Sequence, residues 1–358
     1  MQTNVRDVIK YLGSKRRLVP VLGEMFALSG AHTALDMFTG TTRVAQALKK
    51  RGAFVTTVDT ARYSKVFADC WIATDGRSVD RKSVSEAIDH LNSLPGTDGY
   101  FTETFCLQSR FFQPKNGRRI DAIRDEIART YAGTEMEPIL LTALLLAADK
   151  VDSTTGVQMA FVKKWASRSF RDLKLEPPML LDGPGNALCG DATELAPKLG
   201  SFDFAYLDPP YNQHRYFANY HIWETLVAWD KPEYYGVACK RVDVREPETK
   251  SAFNSKRRMA DALANVINDL NAEVIAISYN DESWITADQL VAMCSKFEDA
   301  RLVAFESRRY VGAQIGVFNP QGERVGDVSH LRNNEWVVVA GPRSAVARMT
   351  EPYLSPAR

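Results

Sequence analysis

The stretch TALDMFTGTTRVAQALKKRGAFVTTVD, Thr33 to Asp59, sets the terms for the rest of the chain. A short apolar run stops at a glycine turn. A segment with helical spacing follows, Gly52 closes it, and a β-branched run then ends in an acid. The pattern is that of a β-α-β unit, which places the chain among α/β proteins with a parallel sheet. Apolar runs of strand length recur at Phe202 to Leu207, Ala272 to Tyr279, Arg301 to Ser307 and Glu335 to Gly341. ADALANVINDL, between the first two, reads as a crossover helix. Glycine-rich loop and no clear helix joins the last two, as an antiparallel edge strand requires.

Between these groups the periodicity changes. DRKSVSEAIDHLNSL and RRIDAIRDEIARTYAG read as amphipathic helices, and EPILLTALLLAADKVDS as a more buried one with Pro138 in its first turn. Prolines and glycines in LEPPMLLDGPG end the block. The expectation is a Rossmann-like, doubly wound, mostly parallel sheet with an antiparallel edge strand, built from residues 1–75 and 186–350, with a helical insertion at 76–185. Lys150 and Asp152 in AADKVDS read as a structural pair.

At 358 residues, 45% hydrophobic and 25% charged, the chain has an ordinary globular composition. Its formal net charge of +1 singles out no partner, so a nucleic-acid enzyme needs its positive charge gathered locally. Five scattered cysteines without a C-x-x-C pair form neither a disulfide framework nor a zinc site, and read as buried reduced thiols. MQTNVRDVIKYLGSK lacks an apolar signal region, and no run approaches about 18 apolar residues, which points away from membranes and toward the cytoplasm.

Chemistry gathers at the strand ends. Asp36, Asp59 and Asp208 end or follow strands on one expected sheet edge, with Asp191 of LCGDATEL a fourth acid. An acid after the second strand of a nucleotide-binding unit accepts hydrogen bonds from ribose, and Asp59 stands there. FTGTT has one glycine and lacks G-x-G-x-x-G, which favours a smaller adenosine-containing cofactor over a dinucleotide. In SFDFAYLDPPY, two prolines stop a strand at the edge where ligands bind in open α/β sheets.

YLGSKRRL, DMFTGTTRVA, VDTARYS, GDAT and YLDPPYN, in that order, resemble the D12-class (Dam-like, alpha-group) adenine-N6 DNA methyltransferases. NGRRIDAIRDEI, AADKVDSTTG, NYHIWETL, SYNDE and RRY…NNEWVV extend the resemblance from Tyr11 to Val339. It implies S-adenosylmethionine as cofactor. Tyr11 and Lys15 flank its methionine moiety, Asp36, Phe38 and Gly40 form the first turn, Asp59 takes the ribose and Asp191 the adenine amino group. It also implies methyl transfer to the N6 amino group of a flipped-out adenine in a specific DNA sequence, with Asp208, Pro209, Pro210 and Tyr211 as the catalytic corner. The carboxylate of Asp208 and the carbonyl of Pro209 accept the two amino N–H bonds, the prolines hold both acceptors rigid, and Tyr211 stacks on the base. Asp in the first position favours adenine N6 over cytosine N4. Tyr279 is expected in the same pocket.

Basic clusters are the candidate DNA contacts: Arg110, Lys115, Arg118 and Arg119; Lys163 and Lys164; Lys240, Arg241, Lys256 and Arg257. The expected partner is double-stranded DNA, together with a cognate restriction or phage-defence component, in a bacterial or phage-encoded, nucleoid-associated setting. Blander readings stand beside these. Asp59 and Asp191 are candidate helix caps, Tyr279 a packed strand end, and each basic cluster a solvated face. No role is assigned to His214 or His221. Rival functions are methylation of RNA or protein, and an inactive DNA-binding partner subunit.

Overall fold

The computed structural model describes residues 8–13, 15–210, 215–246, 249–280, 283–308, 317–318, 324–326 and 332–354. Its strands are β1 (Thr33–Met37), β2 (Phe54–Asp59), β3 (Gly185–Cys189), β4 (Phe202–Leu207), β5 (Tyr234–Tyr235), β6 (Lys240–Arg241), β7 (Ala272–Asn280), β8 (Asp299–Arg308), β9 (Val317–Phe318), β10 (Arg324–Gly326) and β11 (Arg332–Gly341). Seven of them form one sheet in the order β3-β2-β1-β4-β7-β11-β8. β1 with β2, β2 with β3 and β4 with β7 are parallel pairs. β11 is antiparallel to both β7 and β8. The sheet is therefore mostly parallel, as the strand patterning predicts, but the antiparallel strand β11 lies between β7 and β8 and not at the edge, where β8 runs parallel to β7. β3 escapes the apolar-run reading because GNALC lies at the sheet edge and none of its residues is fully buried.

The helices are α1 (Val19–Ser29), α2 (Arg43–Lys49), α3 (Arg62–Ala68), α4 (Arg81–Ser93), α5 (Tyr100–Thr102), α6 (Pro114–Thr130), α7 (Met136–Val151), α8 (Ala192–Leu195), α9 (Tyr216–Asn219), α10 (His221–Ala228), α11 (Met259–Asp269), α12 (Ala287–Met293) and α13 (Arg343–Thr350). Contacts divide the chain into two compact units. One comprises Met1–Gly23, His32–Ala192 and His214–Ser251; the other comprises Glu24–Ala31, Thr193–Gln213 and Ala252–Arg358.

In the first unit the helical segment 76–185 folds together with β1, β2 and β3. The N-terminal end of α4 is satisfied by Asp80, whose carboxylate accepts from the Lys82 amide at 3.0 Å. Asp121 of α6 is buried because it serves α5. Its two oxygens accept the Phe101 and Thr102 amides at 3.0 and 2.8 Å, and the Thr102 hydroxyl at 2.6 Å. Phe101, Phe105, Phe112, Ile120 and Leu144 fill the space between these helices. Lys150 and Asp152 are not a pair. Two residues apart at a helix end, they leave in different directions. Lys150 meets Glu176 at 2.6 Å on the surface, and buried Asp152 meets Arg168 at 2.6 Å and Lys10 at 3.2 Å. Four cysteines are buried as expected, but Cys189 is exposed at the end of β3.

In the second unit β7 and β11 pair along buried runs, Ile275–Ser278 against Val337–Ala340. Phe26 packs edge-to-face on Phe204 at 5.6 Å. Leu263, Val266 and Ile267 of α11, and Val346 and Met349 of α13, complete the core. Among the described residues no helix is long and apolar enough to cross a membrane.

Candidate active site

The loop after β1 carries three residues in the left-handed region: Phe38 at φ 72°, Gly40 at φ 52° and Thr42 at φ 61°. For Phe and Thr that conformation costs roughly 1–2 kcal/mol each, so the turn must be held from outside. The amides of Phe38 and Thr39 both donate to the Val58 carbonyl at 3.0 Å. One oxygen of Asp36 accepts the Thr39 hydroxyl at 2.9 Å and the Ala45 amide at 3.0 Å, tying the turn to α2. Asp36 thus builds the turn that the resemblance assigns it to. Gly40 is required by its φ and by proximity: a Cβ there stands 3.1 Å from the Tyr11 ring.

Asp59, at the end of β2, closes the same corner. One of its oxygens accepts the Gly40 amide at 2.8 Å and the other the Ala61 amide at 2.9 Å. Burial nevertheless pushes its carboxyl above the usual range, against these bonds. The N-cap of α3 is Ala61, so Asp59 initiates the approach to that helix without being its cap. The residue is half-buried, and a carboxylate has about four acceptor sites, which the backbone amides around it do not all fill. β3 brings the fourth acid. Cys189 pairs with Asp59 in register and the Gly190 amide donates to the Asp59 carbonyl at 2.9 Å, which puts half-buried Asp191 at the same edge, before α8.

Tyr11 stacks on Tyr220 at 4.9 Å and on Tyr216 at 5.4 Å, and the Leu12 amide donates to the Tyr220 hydroxyl at 2.7 Å. Lys15 is 7% exposed. Glu224 of α10, which the sequence reading did not single out, accepts from the Tyr63 amide at 3.4 Å and so joins α10 to the start of α3. Burial pushes its carboxyl up to about 7. His221 is fully buried; its Nε2 lies 3.1 Å from the Gln158 carbonyl, and desolvation drives it down to about 3, so the ring is neutral and structural. His214 lies outside the described residues.

In the second unit β4 ends at the acid-proline corner. Asp208 and Pro210 are half-buried and Pro209 is buried. Tyr211 lies outside the described residues. The Ser278 hydroxyl donates to Asp208 Oδ1 at 2.9 Å, and the Tyr206 hydroxyl lies 2.7 Å from Ser278 Oγ. Tyr279 is packed in the strand, as the blander of its two readings expects. It is 1% exposed, and its hydroxyl points to Met259 Sδ at 3.1 Å. Side chains alternate across a strand, so the residue reaching the corner is its neighbour Ser278.

The basic residues sort by what already holds them. Arg241 is held by carboxylates: it is 3% exposed and bridges Asp230 and Asp243 at 2.7 and 2.6 Å. Arg119 donates to the Asn92 and Leu94 carbonyls and so closes the end of α4. Arg110 lies over the Trp165 ring at 4.8 Å and donates to the Lys163 carbonyl at 3.1 Å. Lys115 with Asp172, and Arg118 with Asp98, form exposed pairs of a kind that contributes little to stability. Lys163, Lys164, Lys256 and Arg257 are exposed and Lys240 is half-exposed. Lys163 and Lys240, distant in sequence, share one pocket of about 430 Å³ whose mostly apolar wall includes Met159, Phe161, Tyr235 and Val237.

A family model described as D12 class N6 adenine-specific DNA methyltransferase matches residues 11–293. The type II methyltransferase M.NlaIII of Neisseria lactamica is 29% identical over 317 residues, 84% of this chain and 92% of that protein. The modification methylase StsI of Streptococcus sanguinis is 29% identical over 81% of this chain and 46% of its own length. The type II methyltransferase M.CviAII of Paramecium bursaria Chlorella virus 1 is 27% identical over 84% of this chain and 92% of its own.

Proposed function

The chain belongs to the D12 class of N6 adenine-specific DNA methyltransferases, and from that membership we propose which of its residues carry the reaction. It is an S-adenosylmethionine-dependent DNA methyltransferase. Its target is the N6 amino group of an adenine turned out of a duplex within a specific sequence.

The residues of the first unit fit the cofactor. A carboxylate at the end of β2 with remaining acceptor capacity suits ribose hydroxyls, Asp191 at the same edge suits the adenine amino group, and Tyr11 and buried Lys15 suit the methionine end. When bound, S-adenosylmethionine supplies an electrophilic methyl group on its sulfonium. Asp36, Phe38 and Gly40 would shape the turn of its site. The lone pair of an adenine amino nitrogen is delocalised into the ring, which makes that nitrogen a poor nucleophile. Asp208 and the Pro209 carbonyl accept its two N–H bonds, favouring a more tetrahedral nitrogen. The rigid proline backbone holds both acceptors in place before the reaction begins.

The observation that carries this reading is Asp208 itself, a carboxylate anchored by Ser278 at the end of a buried parallel strand. Asp208→Ala is expected to abolish transfer of a radiolabelled methyl group to duplex DNA while leaving the cofactor and DNA dissociation constants within about threefold. Undiminished transfer removes the mechanism. Methylation-sensitive long-read sequencing of DNA from expressing cells reads the modified base and its context together; label appearing in RNA or protein instead transfers the reading to those substrates.

For DNA, Lys163, Lys164, Lys240, Lys256 and Arg257 are the phosphate contacts, joined by Lys115 and Arg118 once their surface pairs exchange. The helical segment 76–185 serves target recognition. Relatives named as type II methyltransferases and a modification methylase support a cognate restriction enzyme as partner, with the protein acting on the cell's DNA in the cytoplasm.

A further inference from the structure

Register on the sheet brings a three-residue chain of hydroxyls and carboxylate to the corner. β4 and β7 are parallel with Leu207 opposite Ile277, so Asp208 and Ser278 follow each other across the pair. Tyr206 and Asp208, two apart on β4, share one face of the sheet, and Ser278 shares it from β7. The contacts confirm the placement at 2.9 Å from Ser278 Oγ to Asp208 Oδ1 and 2.7 Å between Ser278 Oγ and the Tyr206 hydroxyl. Ser278 is fully buried and Tyr206 is 1% exposed. An ionised carboxylate only accepts, so Ser278 gives its one proton to Asp208 and its oxygen is left to accept from Tyr206. The chain therefore runs one way, from Tyr206 through Ser278 to Asp208. In a site with little water, each bond polarises the next.

We propose that Ser278 is a positioning residue for methyl transfer: its hydroxyl, polarised by Tyr206, fixes the Asp208 carboxylate in the orientation that meets the target amino group. The proposal rests on Asp208 as the acceptor for that group. A carboxylate side chain carries two rotatable bonds, so its orientation is set by the donors that hold it. A buried donor on the neighbouring strand helps to set that orientation before the base arrives, so the gain appears in the reaction step and not in binding.

Four variants test this with a duplex carrying the site located by sequencing: Ser278→Ala, Ser278→Thr, Tyr206→Phe and Asp208→Ala. Single-turnover methylation at saturating S-adenosylmethionine gives the rate constant, fluorescence anisotropy the DNA affinity, and calorimetry the cofactor affinity. Ser278→Ala is expected to lower the rate constant about 10- to 100-fold, the loss of one hydrogen bond to a charged group, with both affinities within about threefold. Ser278→Thr restores most of the rate. Tyr206→Phe keeps the ring in the core and lowers the rate by about three- to tenfold. An unchanged rate in Ser278→Ala beside an inactive Asp208→Ala overturns the positioning role and leaves Asp208 in place. A loss confined to cofactor or DNA affinity, with the rate constant intact, also overturns it. Full activity in Asp208→Ala removes the carboxylate's own role and the chain with it.

Discussion

Glu224 shows how a single buried group sets a pH dependence that the composition hides. It is 2% exposed, and burial raises its carboxyl from an ordinary 4.5 to about 7. The folded chain therefore holds this proton across a window in which the unfolded chain has released it. The group's contribution to stability is at its fullest below pH 4.5, declines as pH rises to about 7 and is flat above. The decline amounts to at most about 3 kcal/mol. Glu224→Gln keeps an acceptor for the Tyr63 amide and removes the ionisation. Its melting temperature relative to the parent protein is expected to climb between pH 5 and pH 7 and to stay level from pH 7.5 to 9. A difference that does not change with pH disproves the assignment. The same residue-scale logic explains why Ser278 escapes notice beside Tyr279. Within SYN the aromatic attracts attention, but strand parity decides which side chain faces Asp208. A lone serine in an apolar strand carries no periodic or charge signal.

Elements were legible wherever one force dominated their sequence. α4 and α6 carry one apolar stripe each, and α7 is apolar almost throughout, so each stands out against polar loop. β4, β7 and β11 each contain a continuous apolar run, Phe204–Leu207, Val274–Ile277 and Trp336–Ala340, because both faces of a central strand are covered. β3, with no fully buried residue, and the two-residue strands β5 and β6 lack that signal, since pairing and not burial defines them. The turn between β1 and α2 was legible as a glycine position, but its two strained non-glycine residues were not. Their left-handed backbone is imposed by Val58, Asp36 and Asp59 from outside the turn. This makes Gly40 the sensitive point of the element. Gly40→Ala pays the left-handed penalty of roughly 1–2 kcal/mol and pushes a methyl group against Tyr11. The expected result is a cofactor dissociation constant about tenfold weaker by calorimetry. Wild-type affinity in Gly40→Ala excludes this turn from cofactor binding.

For the whole molecule the near-neutral charge and the DNA substrate must be reconciled. A net charge of +1 provides almost no long-range attraction, so binding depends on where cations stand free of carboxylates. Charge counting along the sequence treats Lys240 and Arg241 alike. Folding separates them: Arg241 is consumed by Asp230 and Asp243, while Lys240 reaches the rim of the apolar pocket that Lys163 shares. The two kinds of substitution should therefore fail differently. Each phosphate neutralised by lysine or arginine releases counterions and contributes about 0.9 to the slope of log affinity against log salt. Changing Lys163, Lys240, Lys256 and Arg257 together to Gln is expected to flatten that slope by about 2 to 4 while the melting temperature holds. Arg241→Ala leaves two carboxylates without their cation, so it should lower the melting temperature and leave the slope of the remaining folded protein unchanged. If the fourfold variant keeps the parental slope, these cations are solvated surface and the duplex is held elsewhere. If Arg241→Ala alone flattens the slope, the buried ion pairs open on DNA and Arg241 returns to the interface.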